Sequence, residues 1–363
     1  MKKVGSNAIT PGELTFLLIG SMVGVGILSL PNDLVVLSKQ DAWISAFIGS
    51  IYPLYMVIIS SLLCKMNPKK NILILSRKCF GKLIGSILNI VFLLYFVLLT
   101  TSVAFQVSLI KGTLIVPFLS IQKILIVILS LAAYTAIKGL KVLARINQLM
   151  FILTIILSLI LFTALFEGKY LNILPILGSG VLNIVKSSEK SSFAYGGIEI
   201  IFLIYPFITD KTKIMKSSLK SVLITAILYT WITFVTIYYV GIDIIPKMLW
   251  SVNMVAKTIQ IPVVNNFKFI FLVIWALIIC KTIANNYFAV ALILNDFFIK
   301  TETKKIIYII YPLIFYLALQ YSNLSTCTTF LKYIIPKYTL FNITYVSLIT
   351  LIIYFKKDNQ NEY

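Results

Sequence analysis

The sequence predicts an all-α integral membrane protein with ten transmembrane helices. Its 363 residues are 60% hydrophobic and only 12% charged, whereas soluble domains are about half apolar and about a quarter charged. Mean hydropathy is +0.98. The apolar residues form continuous blocks of about 20, the length that crosses a bilayer as a helix, without the alternation of a β-barrel. These features exclude a soluble enzyme and a secreted disulfide-rich protein.

Ten hydrophobic blocks define the predicted spans. Each is long enough to cross the bilayer at about 1.5 Å per residue, and the eighth is long enough to tilt or to extend into the cytoplasm. The blocks cover residues 11–30, 43–64, 84–110, 120–137, 146–166, 190–208, 218–241, 267–299, 306–322 and 338–355. The long outer loops 167–189 and 242–266 contain prolines among apolar residues, so short interfacial helices are expected there.

The positive charge of the chain is distributed unevenly between the two sides of the membrane. If the N-terminus is cytoplasmic, 20 of the 32 lysines and arginines lie on inner segments and 11 on outer ones, with Lys281 left inside a span. Cytoplasmic loops carry an excess of Lys and Arg, so both termini are predicted to be cytoplasmic. The net charge of +20 then reflects orientation and contact with anionic lipid headgroups, and it requires no nucleic-acid partner.

Several kinds of site are excluded by what the chain lacks. It contains no histidine, which removes His-based catalysis, zinc-protease motifs and haem ligation. The four cysteines are widely separated and form no CxxC pair, so they are interpreted as unpaired residues facing lipid or core. No P-loop, GxSxG or clustered carboxylate pair is present. We therefore expect no catalytic residues, no metal and no cofactor, and a first span that is retained as a helix rather than cleaved as a signal peptide.

The first span carries glycines at its middle. Gly24 and Gly26 lie there, and Gly20 and Ser21 precede them by about one turn. Because a glycine inside a helix costs about 1 kcal/mol relative to alanine, this pattern indicates either close helix packing or a local break in the helix.

The sixth span has an interruption in the corresponding place. Gly196 and Gly197 are followed by Glu199 and by Pro206. Spans one and six open two five-span halves, residues 11–166 and 190–355, within one transmembrane domain of residues 9–355. Matching interruptions in two halves indicate a transporter built from inverted repeats. The predicted fold is therefore a five-plus-five inverted repeat in which helices one and six are broken.

Such breaks would create a binding site for a small solute. Unwound backbone at membrane depth is tolerated where its unpaired groups face a cavity and a ligand. A half-helix beginning near Gly26 would attract a carboxylate, and free carbonyl groups would accept hydrogen bonds from an amine, so an α-amino acid fits best. The residues predicted to bind it on these two spans are Ser21, Gly24, Val25, Gly26, Ile27, Tyr195, Gly196, Gly197 and Glu199.

Two charged residues, Glu199 and Lys281, lie deep inside predicted spans. A charge at the bilayer centre costs about 2.5–3.5 kcal/mol, so each needs a reason. Glu199 is interpreted either as a contact to a ligand amine or a proton-sensitive group, or as a cap on the broken helix. Lys281 is interpreted either as a coupling group or as a structural residue that snorkels or pairs with Glu199. Asn285 extends its polar stripe by one turn, and Thr282 is added to the predicted ligand-binding residues.

The chain resembles the amino acid–polyamine–organocation (APC) superfamily, and within it the spore germination permease family, the GerAB-type B subunits of nutrient germinant receptors. The resemblance covers about residues 9 to 355. It rests on Ile9-Thr10-Pro11-Gly12-Glu13-Leu14 before span one, Gly24-Val25-Gly26-Ile27 with the following Leu28-Ser29-Leu30-Pro31, and Tyr195-Gly196-Gly197-Ile198-Glu199 with the following Tyr205-Pro206.

The resemblance implies a LeuT-like inverted repeat and a membrane subunit that senses a germinant, commonly an amino acid, in the inner membrane of a dormant spore. It also implies two partners, a larger A subunit with membrane spans and a soluble domain, and a lipoprotein C subunit. In this superfamily span three lines the substrate pocket, which makes Tyr95 and Leu99 candidate ligand contacts, although residues at such helical spacing are more often plain core. Sodium-coupled members hold a sodium ion between helices one and eight. Lys281 is hypothesised to take that ion's place, which predicts no sodium dependence.

Three functions follow from the sequence. The first is a germinant receptor subunit that binds a small nutrient between helices one and six and triggers spore germination. The second is a stand-alone proton-coupled amino acid permease with Lys281 and Glu199 as coupling groups. The third is a scaffold whose pocket is vestigial and which only holds partner subunits.

Overall fold

The computed structural model of the protein describes residues 8–115, 117–258, 267–298 and 301–361. Six stretches within them are helical, long and apolar enough to cross a membrane, and they indicate a multi-pass membrane protein. They are Gly26–Met66, Ile72–Thr113, Leu140–Phe166, Lys211–Val240, Phe269–Phe297 and Leu324–Lys356. The predicted cytoplasmic N-terminus with Lys2 and Lys3, the end of block eight at residue 299 and part of the second outer loop, residues 259–266, lie outside the described residues.

Among the described residues, the first half of the chain contains seven α-helices. They are α1 (Pro11–Met22), α2 (Gly26–Ser38), α3 (Ala42–Ile48), α4 (Ile51–Met66), α5 (Ile72–Leu114), α6 (Ile121–Ile137) and α7 (Leu140–Ile160). The described part of the second half contains seven more, of which several are short. They are α8 (Val181–Ser188), α9 (Ile201–Ile204), α10 (Ile214–Val240), α11 (Ser251–Thr258), α12 (Phe267–Phe297), α13 (Thr303–Leu319) and α14 (Leu324–Asn361). Helices α8 and α11 lie in the two long loops that were predicted to be outer loops.

Helix α1 has a capped N-terminus and ends in the middle of the first hydrophobic block. At its start, the Thr10 hydroxyl accepts a hydrogen bond from the Glu13 backbone N–H, while the Glu13 carboxylate accepts one from the Thr10 backbone N–H at 2.8 Å. This reciprocal cap satisfies two N–H groups that a helix start leaves unpaired. Helix α1 ends at Met22, and α2 begins at Gly26 and continues through Pro31 to Ser38. The helical segment therefore extends beyond the predicted end at residue 30.

Helix α5 consists of two segments that meet at Gly81. Gly81 has φ 81° and ψ 170°, a backbone conformation that a side chain would strongly disfavour. The Ser76 hydroxyl before this kink donates to the Gly85 carbonyl after it, at 3.2 Å. The inner segment before Gly81 thus folds back against the start of the spanning segment, whose predicted limits were 84–110.

The sixth hydrophobic block, residues 190–208, is not a continuous helix. Gly197 adopts a left-handed conformation with φ 99°, and the block continues as short helical turns at Ile198–Ile200, Ile201–Ile204 and Tyr205–Phe207. Just beyond the last turn, the Ile9 backbone N–H donates to the Phe207 carbonyl at 3.1 Å, and the Thr209 N–H donates to the Ile9 carbonyl at 3.0 Å. The start of the first block is thereby held to the end of the sixth.

Helix α12 lies at the centre of the structure. It packs against α1, α5, α6, α7 and α13, and 72% of its apolar window is buried, compared with 28% for the window of Leu140–Phe166. Polar side chains on α12 therefore face protein rather than lipid. Each of them needs a hydrogen-bond partner there, because an unpaired buried polar group is costly.

Candidate functional site

The interruptions of the first and sixth blocks lie directly against each other. A Cβ atom added to Gly197 would lie 2.5 Å from the carbonyl oxygen of Ser21, and one added to Gly26 would lie 3.0 Å from the Cα atom of Ala194. Real Cβ contacts essentially never reach the first of these distances. The backbones can approach so closely only because glycine has no side chain, which accounts for glycine in both blocks.

Tyr229 of α10 joins the two interruptions. Its hydroxyl lies 2.9 Å from the Met22 carbonyl oxygen, at the end of α1, and 2.7 Å from the Ala194 carbonyl oxygen, just before the break of the sixth block. Helix ends leave their last carbonyl groups without partners inside the helix. One buried hydroxyl therefore lies within hydrogen-bond distance of two carbonyl groups, Met22 in the first half of the chain and Ala194 in the second.

Glu199 is fully buried and is surrounded by hydrogen-bond donors from three other helices. One carboxylate oxygen accepts from the hydroxyl of Tyr52 on α4 and from the hydroxyl of Tyr95 on α5 at 2.8 Å, with the amide of Asn342 on α14 at 3.4 Å. The other oxygen accepts from the backbone N–H of Gly197 at 2.8 Å. Four donors converge on this one side chain, so it ties the break of the sixth block to α4, α5 and α14.

Lys281 and Thr282 of α12 bind the end of α1. The Lys281 ammonium lies 2.9 Å from the carbonyl oxygens of both Gly20 and Val23. The Thr282 hydroxyl lies 2.9 Å and 2.8 Å from the same two oxygens. A cation is favoured at a helix C-terminus, where the helix dipole is negative. Lys281 and Glu199, both described, form no ion pair with each other.

A second contact between α12 and α1 runs through a pair of asparagines. The Asn285 amide donates to the Ser21 hydroxyl at 3.1 Å and to the side-chain oxygen of Asn147 at 3.0 Å. The Asn147 amide, on α7, donates back to Asn285 at 2.9 Å. All three side chains are buried. Three hydrogen bonds thus hold the end of α1 against α12 and α7.

Sequence comparison places this chain in a family. It matches the family described as spore germination protein over residues 8–327, which is most of its length. The chain belongs to the spore germination protein family. The resemblance seen in the sequence is therefore confirmed at the level of the family.

Three relatives of the chain come from two Bacillus species. It is 28% identical over 284 residues to spore germination protein GerQB of Bacillus cereus, which covers 78% of each chain. It is 25% identical over 333 residues to spore germination protein YndE of Bacillus subtilis, covering 88% of each. A third relative, spore germination protein A2 of Bacillus subtilis, is 22% identical over 292 residues.

Solved structures of transporters share the fold of this spore germination protein. Mhp1, a nucleobase-cation-symport-1 family transporter in a closed conformation with bromovinylhydantoin bound, aligns with a TM-score of 0.69 at 13% identity over 97% of this chain and 78% of its own. MhsT in complex with L-phenylalanine aligns with a TM-score of 0.69 at 10% identity over 96% and 89%. At these identities the likeness concerns the fold alone.

The structure brings most of the sequence-predicted residues to the two interruptions. Ser21, Gly24, Gly26, Gly196, Gly197 and Glu199 lie there, together with Lys281, Thr282 and Asn285 of α12. Tyr95 and Leu99 adjoin Gly196, since a Cβ atom added to that glycine would lie 3.1 Å and 3.6 Å from their side chains.

The side chains of three other predicted ligand-binding residues, Tyr195, Val25 and Ile27, make none of the polar contacts given above for the two interruptions. The hydroxyl of Tyr195 donates to the Ala46 carbonyl of α3 at 2.8 Å, while its ring packs on that of Tyr229. Val25 and Ile27 are buried, and the polar contacts given above do not involve their side chains.

Sequence reasoning missed four residues of this site: Tyr52, Asn147, Tyr229 and Asn342. They lie on four different helices, and each is an ordinary polar residue within an apolar block. Among the described residues, no group of three or more cysteine, aspartate or glutamate side chains is placed to hold a metal ion.

Proposed function

We propose that this chain is the membrane-embedded subunit of a nutrient germinant receptor and that it binds a small nutrient, an amino acid, between the interruptions of the first and sixth blocks. The observation that carries the proposal is the approach of Gly197 to the Ser21 carbonyl group, in a member of the spore germination protein family. A ligand held between the two backbones would be sensed by both halves of the chain at once.

The wider arrangement belongs to the same proposal. We infer ten spans in a LeuT-like five-plus-five inverted repeat, with residues 11–166 and 190–355 as the two halves of a single domain over residues 9–355. The fold shared with two solved transporters supports it. We also infer a place in the inner membrane of the spore and A and C subunits as partners, which the relatives named spore germination proteins support. The excess of Lys and Arg on the predicted inner segments supports cytoplasmic termini. No catalytic role is proposed.

Signalling would occur as a population shift. Two arrangements of the broken segments would differ in their affinity for the nutrient, and binding would favour one of them. Glu199 is suited to report the change, because its carboxylate contacts α4, α5 and α14 as well as its own break. A displacement of the sixth block would alter hydrogen bonds to all three helices.

A stand-alone proton-coupled permease is the second candidate. The observation that favours it is the fold shared with transporters, one of them solved with L-phenylalanine. In that case Lys281 and Glu199 would supply the coupling charges. The two candidates differ in whether solute accumulates.

The test uses the purified chain in vesicles and in spores that lack their own copy of the gene. We expect radiolabelled amino acid to bind wild-type protein without accumulating, and a Gly26→Val variant to bind at least about tenfold more weakly, because the new side chain would meet the Ala194 backbone. The matched control is Gly12→Val, whose Cβ has nothing within 4 Å. Accumulation inside vesicles would favour the permease, and an unimpaired response of Gly26→Val spores would favour a vestigial pocket.

A further inference from the structure

A cavity of about 440 Å³ lies beside the interrupted segments. Its wall includes Ser29 of α2 and Phe193, whose ring lies 3.3 Å from the position of a Cβ atom on Gly26. The opposite wall is formed by Pro246, Met248 and the first half of α14. Cavities of about 300–1,000 Å³ are typical of sites for small ligands. Among the described residues of its wall, none is a residue predicted from the sequence to bind ligand.

We propose that this cavity is a separate binding compartment for a small zwitterionic nutrient, and that the side-chain amide of Gln106 selects it. The inference rests on the proposed function, because it gives the same nutrient an outer site before it reaches the interrupted helices. It adds a second site and a selecting residue, Gln106, to the amino acid site proposed between the interruptions.

The amide of Gln106 is the first argument. Its side chain is 4% exposed, it lines the cavity, and its nitrogen has no hydrogen-bond partner among the described residues. Other buried polar atoms also lack partners, but in the described part of the chain only Gln106 combines this property with a place in the cavity wall. An unpaired buried donor destabilises a protein. A ligand carboxylate or carbonyl group in the cavity would give this donor its acceptor.

The charges around the cavity are the second argument. Asp33 and Lys332 form an ion pair of 2.7 Å across it, from α2 to α14. Glu189 and Lys190 add one exposed charge of each sign. The wall thus carries two negative and two positive side chains. Such a wall suits a zwitterion, because each end of the ligand can lie beside a side chain of opposite charge.

The test measures binding of individual tritiated neutral L-amino acids to the purified full-length chain, with a neutral sugar and a nucleoside as uncharged comparison ligands. For an amino acid that wild type binds, we expect Gln106→Leu to raise Kd at least about fivefold, the effect of one hydrogen bond. The variant should fold, because it replaces an unpaired amide by an apolar side chain, and its Tm should be equal or higher.

The matched control is Thr328→Val in the same cavity. Its hydroxyl already donates to the Ser325 carbonyl at 3.1 Å, so we expect Kd to change less than twofold. If wild type binds an amino acid and Gln106→Leu binds it equally well, the inference is overturned while the proposed function stands. If wild type binds no amino acid, or prefers the sugar or nucleoside, both the zwitterion and the proposed nutrient class are wrong.

A second measurement locates the ligand. Ser325 is exposed in the cavity wall, and a Ser325→Cys thiol should react with a membrane-impermeant methanethiosulfonate. The background is low, because Cys64, Cys280 and Cys327 are buried and Cys79 is half-buried outside this wall. Bound amino acid should slow the reaction at least about threefold if the cavity holds it. An unchanged rate at saturating amino acid would overturn the outer compartment even if binding itself is observed.

Discussion

The ammonium of Lys281 lies 2.9 Å from the carbonyl oxygen of Gly20, in the last turn of α1. The same ammonium reaches the Val23 carbonyl at the same distance. One side chain thus binds two backbone oxygens of the first block from α12, the most buried of the six described stretches long enough to cross a membrane. Backbone carbonyl groups are also typical ligands of hard cations, and the hypothesis that Lys281 takes the place of a sodium ion stays a prediction.

Sodium independence is the first prediction. Replacing sodium by potassium or choline should change ligand binding and germination by less than twofold, because the Lys281 ammonium already occupies the space between the two carbonyl groups. Lys281→Met should weaken the ligand response, since only Thr282 would then link α12 to these oxygens. Lys305→Met, at an exposed position, is the control. A strict sodium requirement in the wild-type protein would contradict the hypothesis.

Glu199→Gln is predicted to impair both stability and response. The amide would place a donor near the tyrosine hydroxyls or the Gly197 N–H, all of which donate to the carboxylate. Leaving one buried donor unpaired costs about 1–3 kcal/mol. Thermal unfolding should show a lower Tm, and the half-saturating nutrient concentration should rise. Glu302→Gln, at an exposed position whose side chain makes no capping bond, should behave as wild type. Wild-type stability and response in Glu199→Gln would show that the carboxylate charge is dispensable.

The sequence was most informative at residues whose position in a membrane helix costs free energy. A glycine pair inside an apolar block and a charge inside the membrane are both expensive, and this cost drew attention to Gly196, Gly197, Glu199 and Lys281. Loop charges and block lengths likewise indicated a multi-pass membrane protein. The family resemblance, now confirmed, came from the same interrupted segments.

The partners of these residues could not be predicted. Tyr52, Tyr229 and Asn342 are tyrosines and an asparagine in spans that contain many such residues. Their importance arises because α4, α10 and α14 place them around the interruptions, and this depends on packing between segments far apart in the chain. The observed limits of two helices also differ from the predicted ones. Helix α2 continues through Pro31, and α5 begins well before the predicted apolar block.

Tyr229→Phe is predicted to loosen the contact between the two halves. The change removes one hydroxyl and leaves the Met22 and Ala194 carbonyl oxygens without this donor, at a cost of about 1–3 kcal/mol. Because the phenylalanine ring can still pack against Tyr195, the loss of stability measures the contribution of the hydroxyl alone. Tyr239→Phe, on the same helix and only partly buried, is the control. Equal Tm values for the two variants would mean that the shared hydroxyl contributes nothing to the contact.

Gly197→Ala is predicted to abolish the ligand response. Its new methyl group would lie 2.5 Å from the Ser21 carbonyl oxygen, which would push the interrupted segments apart and widen the site between them. The residue would also keep a positive φ of 99°, which costs an L-residue about 1–2 kcal/mol. Gly180→Ala separates these two effects, because Gly180 has φ 82° and nothing within 4 Å of its Cβ position.

The two alanine variants should therefore both lose stability, while only Gly197→Ala loses binding. Tm by thermal unfolding and Kd for a tritiated amino acid, measured on the same preparations, distinguish the outcomes. We expect Gly180→Ala to bind within twofold of wild type, because the strain it introduces lies at the start of α8, away from the interruptions. If both variants bind nutrient normally, the close approach of Gly197 to Ser21 serves packing alone and the ligand does not lie between these segments.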